Sequence, residues 1–388
     1  MPALNMAIIS EFPANLEVKN ITAMRVKSGH SMPLIKSMKL GKYSKSISRL
    51  VIGSSKNICI FSLKSIITEI IRMMRRVKRK VDKNFLKIYP NISLDDIYKV
   101  KIGKGGGWSR LCVLAGLIED EINSDLEVAI YRGVFNRLLQ CSSISYLKFV
   151  MNTMRFGTWD SNDDEQNQMA IMMLYDFWQK PGLDLGFNSI QESLNSLRKD
   201  PRLVDECLSV IEILLGNMNT LEYEMNVKFK SAIKLHSRYT RDQILAAFGE
   251  HNFKNKSSSR EGVVDVSEKN TELLFVTLQK TSKRFSPSTL YHDFAISEIL
   301  FHWQSQNSAR PDKGRGLTYV LQPQNNKNII LFVREKTDDH LGRSMGFVNL
   351  GPVKLEDFKG SRPMNITWKL SEPIPPYLWH DAAKLSVG

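Results

Sequence analysis

The sequence predicts an α+β protein, mainly helical through its N-terminal and middle regions and β-rich toward the C-terminus. Three observations predict it. From Trp108 to about residue 230, apolar residues recur at helical spacing, with breaks at Gly157-Thr158-Trp159-Asp160 and Lys180-Pro181-Gly182. After residue 240 the pattern shortens to runs of β-branched and aromatic residues between turn formers. Apolar residues make up 42% of the 388 positions, enough to build real cores in two or three domains. The expected division is a basic, partly helical region over 1–100, a helical linker domain over 101–235 and a β-rich domain over 239–379.

In chain order, Ser62 is placed to cap an amphipathic helix over about 63–82, with Ile66, Ile67, Ile70, Ile71 and Met74 on one face. Ser93 followed by Asp96 reads as an N-cap with acid in the first turn. Six middle helices are expected: 111–118, 126–139, 144–154, 169–178, 190–197 and 203–215. Methionines 151, 154, 169, 172 and 173 fill their cores. Strands are expected at 262–265, 272–278, 317–321, 328–334, 345–351 and 364–370. Asn325 to Asn328 fits a hairpin turn, and Tyr291 to Phe301 an amphipathic helix packed on the sheet. Pro311 to Gly316 reads as a polar loop. Pro373, Pro375 and Pro376 mark the end of the last element.

Charge is unevenly placed. Residues 1–100 hold 19 Lys and Arg against 6 Asp and Glu, and the remaining chain 35 against 34. The densest run contains Arg72, Arg75, Arg76, Lys78, Arg79 and Lys80, which suits phosphate neutralisation or a solvated helix face equally well. The four cysteines, Cys59, Cys112, Cys141 and Cys207, have no metal-ligand spacing and are expected as buried thiols in a reducing cytoplasm. Neither a membrane span nor a signal peptide is expected. Lys104-Gly105-Gly106-Gly107 lacks the rest of a phosphate-binding loop. Trp108-Ser109-Arg110 follows where Lys-Ser/Thr chemistry is needed, so a flexible lead into a helix is expected there.

Longer stretches carry a resemblance. They are Tyr239 to Gly249, Arg260 to Val264, Leu274 to Lys280, Phe285 to Tyr291, Tyr291 to Ser297, Phe301-His302-Trp303-Gln304-Ser305-Gln306 and Gly360 to Trp368. Upstream, Leu94 to Tyr98, Trp108 to Gly116 and Leu174 to Pro181 add to it. Together they resemble the C-terminal third of bacterial helicase-nuclease proteins, modification-dependent restriction enzymes among them. That region comprises a helical linker and a conserved domain of uncertain function. The resemblance implies a barrel-like (PUA/SRA-like) fold, base-flipping recognition of modified cytosine in double-stranded DNA, and a helicase or nuclease subunit as partner. The motifs of the motor and cutter are missing. No His-x-Lys occurs, and there is neither a P-loop nor an Asp-Glu-x-His/Asp box.

The chemistry of the residues fits recognition. A flipped base needs aromatic faces and polar groups for its Watson–Crick edge. Trp303, with Phe301 and Tyr291 nearby, is the expected stacking group, and Gln304, Ser305 and Gln306 supply donors and acceptors. Core packing of Phe301 and Trp303 is the competing expectation. Arg362, in a Gly-Ser-Arg-Pro turn, is a candidate phosphate contact or a partner for Glu335, and Arg334 shares that ambiguity. No catalytic residue and no cofactor are assigned. The enzyme alternative is a nuclease using a divalent metal, with Glu261, Asp265, Glu272 and Lys280 as its residues, although Leu278 stands where an acid-x-Lys pair needs its acid.

Overall fold

The computed structural model describes residues 92–218, 222–279 and 293–383, with Thr68, Ile71 and Arg72 as isolated helical positions. The basic run beyond Arg72, together with Cys59, Lys280 and Tyr291, lies outside the described residues, as does most of the helix expected over 63–82.

The helical layer begins with α1 (Leu94–Tyr98). Ser93 caps it as expected, and Asp96 reciprocates by accepting from the Ser93 amide. A two-residue ladder, β1 (Lys101–Ile102) against β2 (Gly105–Gly106), leads into α2 (Trp108–Ala115). Then follow α3 (Ser124–Asn136), α4 (Ile144–Phe156), α5 (Asp164–Phe177), α6 (Ile190–Ser196) and α7 (Pro201–Asn217). Side chains of Asn123, Ser143, Asp163, Ser189 and Asp200 accept from first-turn amides and fix the starts of α3 to α7. Met169, Met172 and Met173 are buried in this layer, as are free thiols Cys112, Cys141 and Cys207.

The C-terminal part is one mixed sheet. Its strands are β3 (Arg238–Tyr239), β4 (Val263–Val266), β5 (Thr271–Gln279), β6 (Phe294–Ser297), β7 (Leu300–Gln304), β8 (Asn328–Lys336), β9 (Phe347–Lys359) and β10 (Asn365–Leu370). The order is β4-β5-β8-β9-β10-β7-β6, with β3 also on β9. Among the described strands, only β5 and β8 run parallel. Among the described residues this path does not close, so the sheet is open rather than barrel-like. Helices α8 (Arg241–Ala247), α9 (Gly314–Val320), α10 (Gln322–Asn325) and α11 (Pro376–Ala383) complete the fold.

Four expectations change. The segment expected as a helix to Phe301 forms β6 and β7. Residues 317–321, expected as a strand, lie largely in α9, which also claims the end of the expected 311–316 loop. Asn325 ends α10, and left-handed Asn326 turns the chain into β8 rather than closing a hairpin. Pro376 opens α11 instead of ending regular structure. Short apolar runs satisfy both a helical and a strand period, and tertiary packing decides between them.

Strand alternation divides the sheet's two faces. Val264, Val266, Leu273, Phe275, Ile330, Phe332 and Phe347 join the core of the helical layer. Leu274, Val276, Leu331, Val333, Val348, Phe301, Trp303, Ile366 and Trp368 form a second core on the opposite face, closed by Tyr319, Leu378 and Ala382. The helical layer therefore covers β4, β5, β8 and the start of β9. On the same side, the end of β9 with β10 and β7 carries mainly polar and charged residues, and β6 adds Phe294.

Candidate nucleic-acid interface

Strand β7 divides the predicted recognition segment by period two. Phe301 and Trp303 point into the second core, where Trp303 is 5% exposed. Its ring meets Tyr319 edge-to-face at 5.4 Å and lies 6.2 Å from Trp368. This is the packing role that the sequence left open for both aromatics. Ser305 is buried too. Its amide donates to the Met364 carbonyl, and its hydroxyl accepts from the Met364 amide, each at 2.9 Å, stitching the end of β7 to the start of β10.

The alternate positions face the other way. His302 and Gln304 pair across the ladder with Thr367 and Asn365 of β10, and His302 pairs with Phe294 of β6. The Phe294 and His302 rings stack with centroids 4.7 Å apart and planes 12° from parallel. Gln304 Nε2 approaches Asn365 Oδ1 at 3.4 Å. Beyond β10, Asp357 and Lys359 continue these rows, and Lys354 sits beside Lys369. Sequence reasoning missed Phe294, His302 and Asn365. A period-two reading of Phe294 to Gln304 would have placed Phe294, His302 and Gln304 on one face.

At the corner where β7 leaves the sheet, Gln306 is half-buried. Both polar atoms of its amide are shielded from solvent and have no hydrogen-bond partner among the described residues. Its carbonyl accepts from the Ala309 amide at 2.9 Å, and the Ala309 carbonyl accepts from the Arg362 amide at 3.0 Å. The loop after β7 and the Gly360-Ser361-Arg362-Pro363 turn are thus one structure. Arg362 is exposed and held at φ 64°, a left-handed conformation that a long side chain rarely adopts. It does not pair with Glu335. That carboxylate takes both Nη atoms of Arg238, at 2.6 and 2.9 Å. Arg334 donates to Thr277 Oγ1 and lies over the Phe347 ring.

The acidic residues considered for a nuclease lie at the other end of the sheet. Asp265 and Glu272 face each other across β4 and β5. Glu272, 1% exposed, accepts from Tyr319 Oη at 2.9 Å and pairs with Arg315 Nε at 3.1 Å. Lys327 Nζ is 2.5 Å from Asp265 and 3.8 Å from Glu272, so one ammonium serves both carboxylates. Burial raises the Glu272 pKa despite Tyr319, Arg315 and Lys327. Burial opposes ionisation of Asp265 as well, but Lys327 and Ser267 outweigh it and hold that carboxyl low. Glu261 is exposed at the surface. No group of three or more metal-ligating side chains occurs among the described residues.

The glycine cluster is filled from within. Glu206 Oε1 and Oε2 accept from the amides of Trp108 and Ser109, both at 2.8 Å, and Glu127 Oε1 accepts from the Gly106 amide at 3.0 Å. A Cβ on Gly107 would stand 2.4 Å from Glu206 Oε1, and one on Gly105 would stand 2.4 Å from Glu127 Oε1. The start of α2 therefore binds the protein's own carboxylates where a phosphate-binding loop would bind an anion.

No helix among the described residues is long and apolar enough to cross a membrane. No curated protein matches the chain. Among solved structures, a crystal structure of Arabidopsis thaliana SUVH6 in complex with SAM aligns at 9% identity with a TM-score of 0.26. That alignment covers 61% of this chain and 41% of the other, so the chain spans less than half of that structure's length. Residues 233–382, which bracket the stretch carrying most of the sequence resemblance, match the family model described as "Domain of unknown function (DUF3427)".

Proposed function

We propose that the C-terminal sheet is a DNA-recognition module of a restriction or defence system, reading one base extruded from a duplex, with modified cytosine as the favoured target. The observation that carries this reading is the Gln306 amide. Its donor and acceptor atoms are shielded together and unmatched among the described residues. Leaving such a group unpaired costs about 1–3 kcal/mol per buried donor or acceptor. A carboxamide offers a donor beside an acceptor, the complement of a base edge, and would recover that cost on binding one. Arg362, on the adjoining turn, would hold the flanking phosphate. Trp303 supports the strand from the core side, so stacking falls to other groups.

The test is a binding panel of unmodified, 5-methylcytosine and 5-hydroxymethylcytosine duplexes, with a fluorescent base analogue at the target position. Wild type should discriminate among the three and brighten the analogue. Gln306→Leu, which fills similar volume without the amide, should bind all three alike. Equal wild-type affinity for all three, with an unchanged analogue signal, would reject base reading.

A further inference from the structure

The half of the sheet that the helical layer leaves uncovered among the described residues has a chemistry distinct from the Gln306 corner. Phe294 and His302 stand as a stacked pair, and the next residue in their row is Thr367, too small to complete the stack. Beyond Thr367 the row reaches Asp357 on β9. Two inter-strand spacings of about 4.8 Å separate the His302 and Asp357 columns. A planar ring stacked on His302 would lie above Thr367 within that width. The neighbouring row offers two carboxamides, Gln304 and Asn365, to the edge of such a ring. Cations surround the rows: Lys354, Lys359, Lys369 and, on the adjoining turn, Arg362, against Glu356 and Asp357. Lys359 is 83% exposed and meets Asp357 only at 3.8 Å, and Lys369 meets Glu356 at the same distance. Exposed pairs of that length hold their lysines weakly.

We propose that this face is a stacking platform for unpaired bases of single-stranded DNA, with Phe294 and His302 as the platform, Gln304 and Asn365 at the base edge, and Lys359 and Lys369 on the phosphates. Upright aromatics, amides and loosely held cations on one sheet face match what a single strand presents: base faces, base edges and a charged backbone. The proposal rests on the DNA-recognition reading and extends it. The platform takes the strand unpaired beside the extruded base.

Fluorescence anisotropy of the full chain with a labelled 12-nucleotide strand, its abasic counterpart and the matching duplex tests this. The intact strand should bind on the order of tenfold more tightly than the abasic strand. Phe294→Ala and His302→Ala should remove that advantage with unchanged melting temperatures, while Phe294→Tyr and His302→Phe should keep it. Equal affinity for intact and abasic strands overturns the platform. If duplex binding still depends on Gln306 in that case, the reader stands without it, whereas loss of all DNA binding removes both. Self-association that Phe294→Ala abolishes, with DNA affinity unchanged, would assign the face to a second copy and also overturn the proposal.

Discussion

Glu206 on α7 reaches across the helical layer to the first turn of α2, where its two oxygens accept from Trp108 and Ser109 at 2.8 Å each. Tyr98 Oη donates to the same carboxylate. One buried acid thus ties the end of α1 and the start of α2 to the layer's last helix. Burial drives its pKa up, and the donors from Ser109, Tyr98 and Trp108 oppose that. In Glu206→Gln, one amide hydrogen would have to face a donor. The expected loss is about 2–3 kcal/mol in a urea melt. Gly107→Ala should destabilise as well, because its Cβ meets the same oxygen.

Asp242 gives a pH signature. Burial disfavours its charge, but His251, Arg137 and Lys256 together hold the carboxyl well below the usual range. A depressed folded pKa contributes stability above the unfolded value, near 4, and loses it as pH falls further. Asp242→Asn should therefore be less stable than wild type at pH 7, and the gap should narrow steadily below about pH 4. Melts between pH 7 and pH 3 check this. A constant gap would mean that the carboxylate's charge is not what Arg137 and Lys256 respond to.

Asp176 runs in the opposite direction. It is fully buried at the seam between α5 and α8. Oδ2 accepts from Tyr146 Oη at 2.6 Å and Gln243 Nε2 at 2.9 Å, while Oδ1 has no partner among the described residues. Burial raises its pKa to about 7 despite Tyr146, Arg137 and Gln243. A raised carboxyl pKa contributes stability that is full below about pH 4 and lost as pH climbs through about 7. Asp176→Asn should gain on wild type over that window. Chemical denaturation at pH 5 and pH 8 measures it directly.

Trp303 separates a packing role from a recognition role. Trp303→Ala empties a site shared with Tyr319 and Trp368 and should cost about 3–5 kcal/mol. Trp303→Phe keeps a ring there and should cost about 1–2 kcal/mol. The folded Phe variant should keep the wild-type ranking of modified and unmodified duplexes. A loss of ranking at wild-type stability would return stacking to Trp303.

These residues also show how far the sequence could be read. Helices α2 to α7 were legible from long runs of one period, but the caps at Asn123, Asp163 and Asp200 were not read, so α3, α5 and α7 start two to five residues before the expected positions. Strands β5 and β8 were legible from their β-branched runs. Phe294 to Gln304 was not, since Tyr291, Phe294, Ala295 and Ile299 also fit a helical stripe. Pairing with β10 decides for the strand period and puts Trp303 and Gln304 on opposite sides. Arg315 and Tyr319 reach Glu272 because they lie one helical turn apart on α9. That contact disappears once residues 317–321 are read as a strand.

Arg362 carries the last prediction. A left-handed φ costs a residue with a Cβ roughly 1 kcal/mol, and glycine pays almost nothing for it. Glycine also has more conformational freedom to lose on folding, which offsets part of the gain. Arg362→Gly should therefore leave stability within about 1 kcal/mol of wild type, on the favourable side. Under the proposed function, a strained arginine kept at the surface, its amide bonded to the loop that follows Gln306, serves contact rather than folding. Removing the guanidinium should lower duplex affinity about tenfold and flatten the salt dependence by roughly one phosphate contact. Arg362→Lys keeps the charge but not the bidentate geometry, and should fall between the two. A salt titration of the three proteins on one duplex, alongside their melting curves, reads both quantities. Unchanged affinity in Arg362→Gly would place the phosphate contact elsewhere and leave the strain at this turn without a binding role.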